Sequence, residues 1–276
     1  MVQTVSQLQV LKYYNMPTVK EIQTPKESRP DSLTSRISVC LRHWLRRHPA
    51  LKKIARSAYY LARNEPVIVA YDLSPEKIRE LLDKPNPTII EIGCHDGENT
   101  QWFVDQFQDP VIHCFEPDPR VIDKFSKRFS KITGVHLHPF ALGNISGRML
   151  FHQSSNSDPG SDWDASGSLM PPKNHFSEFP WVKFDSSIEV NVETLDSFCE
   201  KNSIVEVDLI WMDVQGAELG VIAGGRRTFE MARYLVTEYS NKELYEGQPN
   251  MKALLAALPE HRVVKRYPDD LLLVHR

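Results

Sequence analysis

The sequence predicts an α/β protein, a doubly wound parallel sheet with helices on both faces. Three observations predict it. From about residue 85 onward, short apolar runs alternate with amphipathic stretches of helical spacing. The runs are continuously apolar, as strands covered on both faces must be. The first of them, Ile89-Ile90-Glu91-Ile92, passes straight into Gly93-Cys94-His95-Asp96-Gly97 and then into a segment whose Trp102, Phe103 and Phe107 share one helical face.

A strand, a glycine turn and a helix are how a doubly wound sheet begins a nucleotide-like site. Glycine supplies the positive φ of a sharp turn and lets a ligand touch bare backbone. A dinucleotide fingerprint, G-x-G-x-x-G, would rest a pyrophosphate on the helix N-terminus. This turn reads Glu91-x-Gly93-x-x-x-Gly97 instead, and its acid would repel a pyrophosphate. The acid suits a ligand bearing an ammonium or a sulfonium; S-adenosylmethionine bears both and has no phosphate. The second run, at 111–115, ends in Glu116, 25 residues after Glu91. An acid there is placed to accept hydrogen bonds from both ribose hydroxyls. The cofactor candidates at this end are Glu91, Gly93, Cys94, Gly97, Thr100 and Glu116. The glycine pair alone also fits an ordinary turn in some other α/β protein. Glu116 in register favours the cofactor.

The rest of the chain sets the bounds. Its 276 residues suit one large domain or two small ones. Apolar content of 41% and charged content of 25% are those of a soluble globular protein. A net charge of -3 argues against a general nucleic-acid binder. Cys40, Cys94, Cys114 and Cys199 are scattered, with no C-x-x-C pair, and read as reduced thiols of a cytoplasmic protein. No apolar run approaches the ~18 residues of a membrane span, and no secretory signal opens the chain.

Residues 1–35 read as a loose leader, with Pro17, Pro25 and Pro30 spaced through polar sequence. Residues 36–64 carry two helical stripes and eight Arg or Lys residues named in sequence as Arg36, Arg42, Arg46, Arg47, Lys52, Lys53, Arg56 and Arg63. Such a pair of basic helices fits a cap on the core with a solvated face. It also fits a peripheral membrane surface, an acidic partner or a homo-oligomer contact. Ser74-Pro75-Glu76 begins a further helix, with Ser74 as N-cap, so that 36–84 reads as a helical cap.

Beyond Glu116, a helix holds Val121, Ile122, Phe125 and Phe129, and a third strand with its exit spans 135–143. The small exit residue Ala141, with Leu142 beside it, would let an adenine ring approach. Residues 144–192 form an insertion that opens with a hairpin arm at 147–152 and continues through Ser- and Asp-rich sequence. A polar segment this long in a compact domain reads as a lid or substrate wall. The fourth strand, 208–212, ends in Asp213, on the same carboxyl rim as Gly93 and Glu116. Asp213 would serve there as a cofactor contact, as an N-cap for the next helix, or as both. The strand at 234–239 brings a further rim acid, Glu238, and 263–274 reads as a closing antiparallel hairpin around Pro268-Asp269-Asp270.

These motifs together resemble the FkbM family of class I S-adenosylmethionine-dependent methyltransferases. The residues that carry the resemblance are Glu91-Ile-Gly93-Cys-His-Asp-Gly97, Phe115-Glu116-Pro117-Asp118-Pro119, Ala141-Leu142-Gly143, Thr194-Leu195-Asp196, Asp213-Val-Gln215-Gly216-Ala-Glu218 and Tyr245-Glu246-Gly247-Gln248. They span roughly 85–276 and leave 1–65 outside. The resemblance implies a Rossmann-like seven-stranded sheet with its last strand antiparallel, and methyl transfer to a hydroxyl of a sugar, glycan or secondary metabolite. Family members often have Lys where Trp211 stands and Glu where Gln215 stands, so no role is carried onto those two side chains.

An alcohol loses its proton far above neutral pH, so a group near the methyl should accept it during transfer. Asp213 is the first candidate and Glu238 the second, ahead of His95 and His152. Asp213, Glu238 and Asn241 could instead hold a divalent cation, an alternative not favoured. Two other functions fit the same sheet: a nicotinamide oxidoreductase, opposed by the missing third glycine, and a non-catalytic adenosyl-binding scaffold.

Overall fold

A computed structural model gives the fold and describes residues 73–157 and 163–276. The leader over 1–35, the basic helices over 36–64 and the apolar run at 67–71 lie outside the described residues. Helix α1 (Pro75–Leu82) starts as its sequence requires: Pro75 lies in the first turn and the Ser74 hydroxyl accepts the Lys77 N–H at 3.3 Å.

The main sheet then builds outward from its centre. Strand β1 (Thr88–Ile92) leads to helix α2 (Glu98–Gln106), β2 (Val111–Phe115), α3 (Pro119–Phe129) and β3 (Val135–His138). After a second, smaller sheet come α5 (Leu195–Lys201), β7 (Val207–Met212), α6 (Glu218–Gly224), α7 (Arg226–Met231), β8 (Ala232–Glu238), α8 (Met251–Ala257), β9 (His261–Arg266) and β10 (Asp270–His275). The order across the sheet is β3-β2-β1-β7-β8-β10-β9. Strands β3, β2, β1, β7 and β8 are parallel, and β10 runs antiparallel to both neighbours. This is the seven-stranded sheet with an antiparallel last strand that the resemblance implies. Connections leave β1 toward β2 on one side while β7 returns on the other, so the rim above β1 is the switch point where ligands bind.

Alternation along the strands fixes which side each residue serves. Ile90, Ile92, Ile210 and Met212 pack under α5, α6, α7 and α8, with Phe198, Val221, Phe229 and Leu254. Ile89, Leu209 and Trp211 face the other way, against Ile78 and Leu82 of α1, Phe103 of α2 and Phe125 of α3. Glu91 shares that second face and is fully buried.

Two elements differ from expectation. The third strand ends at His138, and the residues read as its exit join another sheet. Pro139 has no N–H to continue the ladder, and Phe140 turns back to donate to the His138 carbonyl. Ala141 and Leu142 become β4 (Ala141–Leu142) of the second sheet. The insertion is likewise more regular than its polar sequence suggests. It contains β5 (Gly147–Asn156), the short helix α4 (His175–Glu178) and β6 (Val182–Glu193). Strands β5 and β6 pair antiparallel over most of their length, and β4 joins β6 in parallel.

Candidate active site

The cleft at the switch point takes its floor from Ile92, Gly93, Phe115, Glu116, Ala141 and Leu142, and its far wall from Phe151, Gly167, Ser168 and Leu169 of the insertion, beside Val214 and Ala217. Counting the part open to solvent, the empty space between these residues is about 420 Å³. Four predicted cofactor residues, Gly93, Glu116, Ala141 and Leu142, line it.

Gly93 sits at φ +84°, and a Cβ there would fall 1.9 Å from the Asp213 carbonyl oxygen. The glycine therefore lets the ends of β1 and β7 close together, and the Asp213 N–H donates to the Ile92 carbonyl at 2.9 Å. Gly97, at φ +84°, begins α2 without a side-chain cap.

Glu116 is only 6% exposed. Its Oε2 accepts the His95 N–H at 3.0 Å and its Oε1 the Asp118 N–H at 2.9 Å. Each oxygen keeps further accepting capacity toward the cleft. Burial pushes this carboxyl up to about 7, against the backbone bond from Asp118, which lowers it. A fixed, doubly accepting carboxyl beside an apolar floor suits a ribose diol next to a purine ring, so these residues fit S-adenosylmethionine.

Glu91, Cys94 and Thr100 lie beneath the turn rather than on the cleft wall. The Thr100 hydroxyl donates to Glu91 Oε2 at 2.5 Å and the Cys114 thiol at 3.7 Å. Glu91 Oε1 is buried with no hydrogen-bond partner among the described residues. Burial raises this carboxyl to about 8, outweighing the bonds from Thr100 and Cys114. A carboxyl held uncharged there joins the turn to α2. Glu218, buried and accepting the Gly216 N–H at 3.0 Å, is likewise raised by burial to about 7.

These three carboxyls predict a pH dependence. Folded, they keep protons that the unfolded chain sheds from about pH 4.5 upward. Their contribution is whole below about pH 4.5 and drains away as pH rises through about 7 to 8. Denaturation midpoints measured across that window should decline with pH, and Glu91→Gln should flatten the decline.

Asp213 follows β7 on the rim and Glu238 ends β8. Asp213 does not cap the next helix, whose N-cap is Ala217. Gln215, at φ +52°, joins the two acids instead. Its Nε2 donates to Asp213 Oδ1 at 2.6 Å and to Glu238 Oε2 at 2.9 Å. The buried Tyr245 hydroxyl lies 2.8 Å from the Ser166 carbonyl and 3.2 Å from Gln215 Oε1, and donates to one or the other. The Ser168 hydroxyl donates to the Gln215 carbonyl at 2.7 Å. Burial, then the Asp213 charge and a hydrogen bond with Asp213, hold Glu238 well above the usual carboxylate range. A carboxyl raised in this way favours its protonated form. Among the described residues no group of three or more His, Cys, Asp or Glu is arranged to hold a metal ion.

His95 and Asp164 were not marked for the cofactor by the sequence, His95 being weighed only as a base. Gln215 was noted only as a departure from the family pattern. None of the three is marked by its local sequence alone, because the contacts from His95 to Glu116 and Asp164, and from Gln215 to Glu238, span 21 to 69 residues of chain.

The sequence profile of the methyltransferase FkbM domain matches residues 54–265. The chain belongs to the FkbM methyltransferase family. The match begins at 54, so the family's region reaches further toward the N-terminus than the motifs alone suggest, into residues outside those described. The chain is 42% identical over 201 residues to the 2-O-methyltransferase NoeI of Sinorhizobium fredii, covering 71% of this chain and 83% of that one. Among solved structures, an rRNA methylase from Streptococcus thermophilus superposes with a TM-score of 0.41 at 10% identity, covering 74% of this chain and 94% of that one. TrmK of M. capricolum, solved with S-adenosylhomocysteine, does so at 0.39 and 7%, covering 74% and 67%. These two likenesses concern the fold alone. The family makes the protein an S-adenosylmethionine-dependent methyltransferase, and the expectation of transfer to oxygen agrees with the named relative. Neither the nicotinamide oxidoreductase nor the non-catalytic scaffold finds support in the comparisons. No helix among the described residues is long and apolar enough to cross a membrane.

Proposed function

We propose that this enzyme methylates a hydroxyl on a sugar, glycan or other small molecule, with Asp213 as the group that takes the hydroxyl proton. The observation that carries the reading is the placement of Asp213. It stands on the rim one hydrogen bond from the end of β1, beside the cleft that Gly93 and Glu116 line. The 2-O-methyltransferase name of the relative points the same way.

When bound, S-adenosylmethionine supplies an activated methyl group. The chain's own residues bind, orient and accept a proton. Glu116 would hold the ribose hydroxyls, while Ile92, Phe115 and Leu142 would take the adenine ring. Gln215 fixes the Asp213 carboxylate with one amide hydrogen and Glu238 with the other, so Asp213 is oriented before the acceptor arrives. Positioning of an acceptor oxygen against the methyl supplies much of the rate in such a displacement. Removal of its proton by Asp213 adds general-base assistance. The insertion walls the cleft with Phe151, Ser168 and Leu169 and serves as the acceptor-side wall. A cytoplasmic location, where thiols stay reduced, suits the free thiols of Cys94, Cys114 and Cys199.

The test is titration calorimetry with S-adenosylhomocysteine, followed by methyl transfer to a panel of glycan and small-molecule hydroxyls. Glu116→Ala should weaken binding by about 1.5–3 kcal/mol, the scale of charge-assisted hydrogen bonds. A folded wild-type protein that binds no S-adenosylhomocysteine would sink the reading.

A further inference from the structure

The two oxygens of Glu116 are each held by a backbone N–H, and both of the residues that supply those N–H groups are gripped in turn by the insertion. On one side is His95. Its backbone donates to Glu116 Oε2, and its ring Nε2 lies 2.7 Å from Asp164 Oδ1. Asp164 Oδ2 is also held by Lys124 of α3 at 2.5 Å. On the other side is Asp118. Its backbone donates to Glu116 Oε1, and its Oδ1 accepts from Gln153 Nε2 of β5 at 2.9 Å. Arg120 ties the same corner to β5 by donating to the Ser154 carbonyl at 3.0 Å.

We infer that Asp164 is a positioning residue for the cofactor: it acts through His95 to fix the glycine turn and the Glu116 carboxyl, and makes the insertion part of the cofactor site as well as a wall for the acceptor. The inference rests on the reading of Glu116 as the ribose-binding group.

Three features of the contact support it. His95 is a non-glycine residue at φ +49°, a conformation that costs energy unless its surroundings hold it. The Asp164 side chain is only 11% exposed, so its charge is little screened. Burial would by itself favour neutral His95, but the bonds to Asp164 and Asp96 override it and push the ring up to about 10. At neutral pH the contact is therefore a charged pair. The same insertion sends Phe151, Gly167, Ser168 and Leu169 into the cleft, so the strap that holds Glu116 also faces whatever Glu116 binds.

The experiment uses the full chain and S-adenosylhomocysteine as probe. Asp164→Asn removes the charge from the carboxyl. His95→Asn removes the ring while keeping the backbone N–H and a residue that tolerates positive φ. Each should raise the dissociation constant roughly tenfold and raise KM for S-adenosylmethionine, with kcat at saturation held within about twofold. The two variants report on the same contact, so failure of one to fold leaves the other to decide. Glu116→Gln provides the reference, and the double variant Asp164→Asn/Glu116→Gln should bind little worse than Glu116→Gln alone, because the two act as a unit. Unchanged affinity in Asp164→Asn or His95→Asn beside a weakened Glu116→Gln would overturn the inference and leave the Glu116 reading standing. Full additivity in the double variant would overturn it too. Unchanged affinity in Glu116→Gln as well would overturn the Glu116 reading on which it rests.

Discussion

Asp213→Asn is expected to lower kcat by about 10²–10⁴-fold, the usual contribution of a positioned general base, while leaving S-adenosylhomocysteine binding nearly unchanged. The substitution keeps the size of the side chain and an oxygen for the Gln215 amide, now 2.6 Å from Asp213 Oδ1. It removes only the capacity to accept a proton from the acceptor hydroxyl. Glu238→Gln should cost less, because burial already favours the uncharged form of Glu238 and a glutamine keeps that form's size and an oxygen for the Gln215 amide. The measurement is single-turnover methyl transfer at saturating acceptor, with binding measured separately by calorimetry. A drop of less than about threefold in Asp213→Asn would take the proton-accepting role away from Asp213. Loss of cofactor binding along with rate would instead place Asp213 in the cofactor site, where the sequence also set it.

Much of this arrangement was legible because its signals are local. The glycine pair at 93 and 97, the acids that end three strands and the N-cap at Ser74 are each read within a dozen residues of chain, and the structure builds a strand, a turn or a cap at each. Alternation of strands and helices predicted a parallel sheet, and the family resemblance implied seven strands with the last antiparallel. What escaped the sequence depends on distant partners. Glu91 looked like a rim acid from its place beside Gly93, yet strand alternation turns it away from Ile90 and Ile92 toward α2. The insertion read as polar because β5 and β6 expose one face of their ribbon: Leu150 is 56% exposed, whereas Phe151 is 6% exposed and packs with Val190. Gln215 gave no signal because its meaning lies in spanning two acids from neighbouring strands, a relation that exists only after β7 and β8 pair.

Gly93→Ala should be the most damaging small substitution on the rim, and the contrast with Gly97→Ala shows why. Both glycines sit at φ +84°, so both variants pay the left-handed backbone penalty of about 1–2 kcal/mol. They differ in what the new methyl meets. At 97 the closest atoms are side chains, the edges of the buried Phe129 and Phe125 rings at 2.2 and 2.9 Å, and no backbone. At 93 the closest atom is the Asp213 carbonyl oxygen at 1.9 Å, with the carbonyl carbon at 2.9 Å. That backbone is pinned by the bond from the Asp213 N–H to Ile92 and by the β1–β7 ladder. Relief requires the ends of β1 and β7 to separate, which breaks that bond and moves Asp213 away from the turn. The expected loss is about 3 kcal/mol or more for Gly93→Ala and clearly less for Gly97→Ala, read from denaturant midpoints at constant slope. The separation of the strands should also abolish methyl transfer in any Gly93→Ala protein that still folds. Equal losses in the two variants would mean that the strand ends are not packed against each other through Gly93, and that the glycine is there for the turn alone.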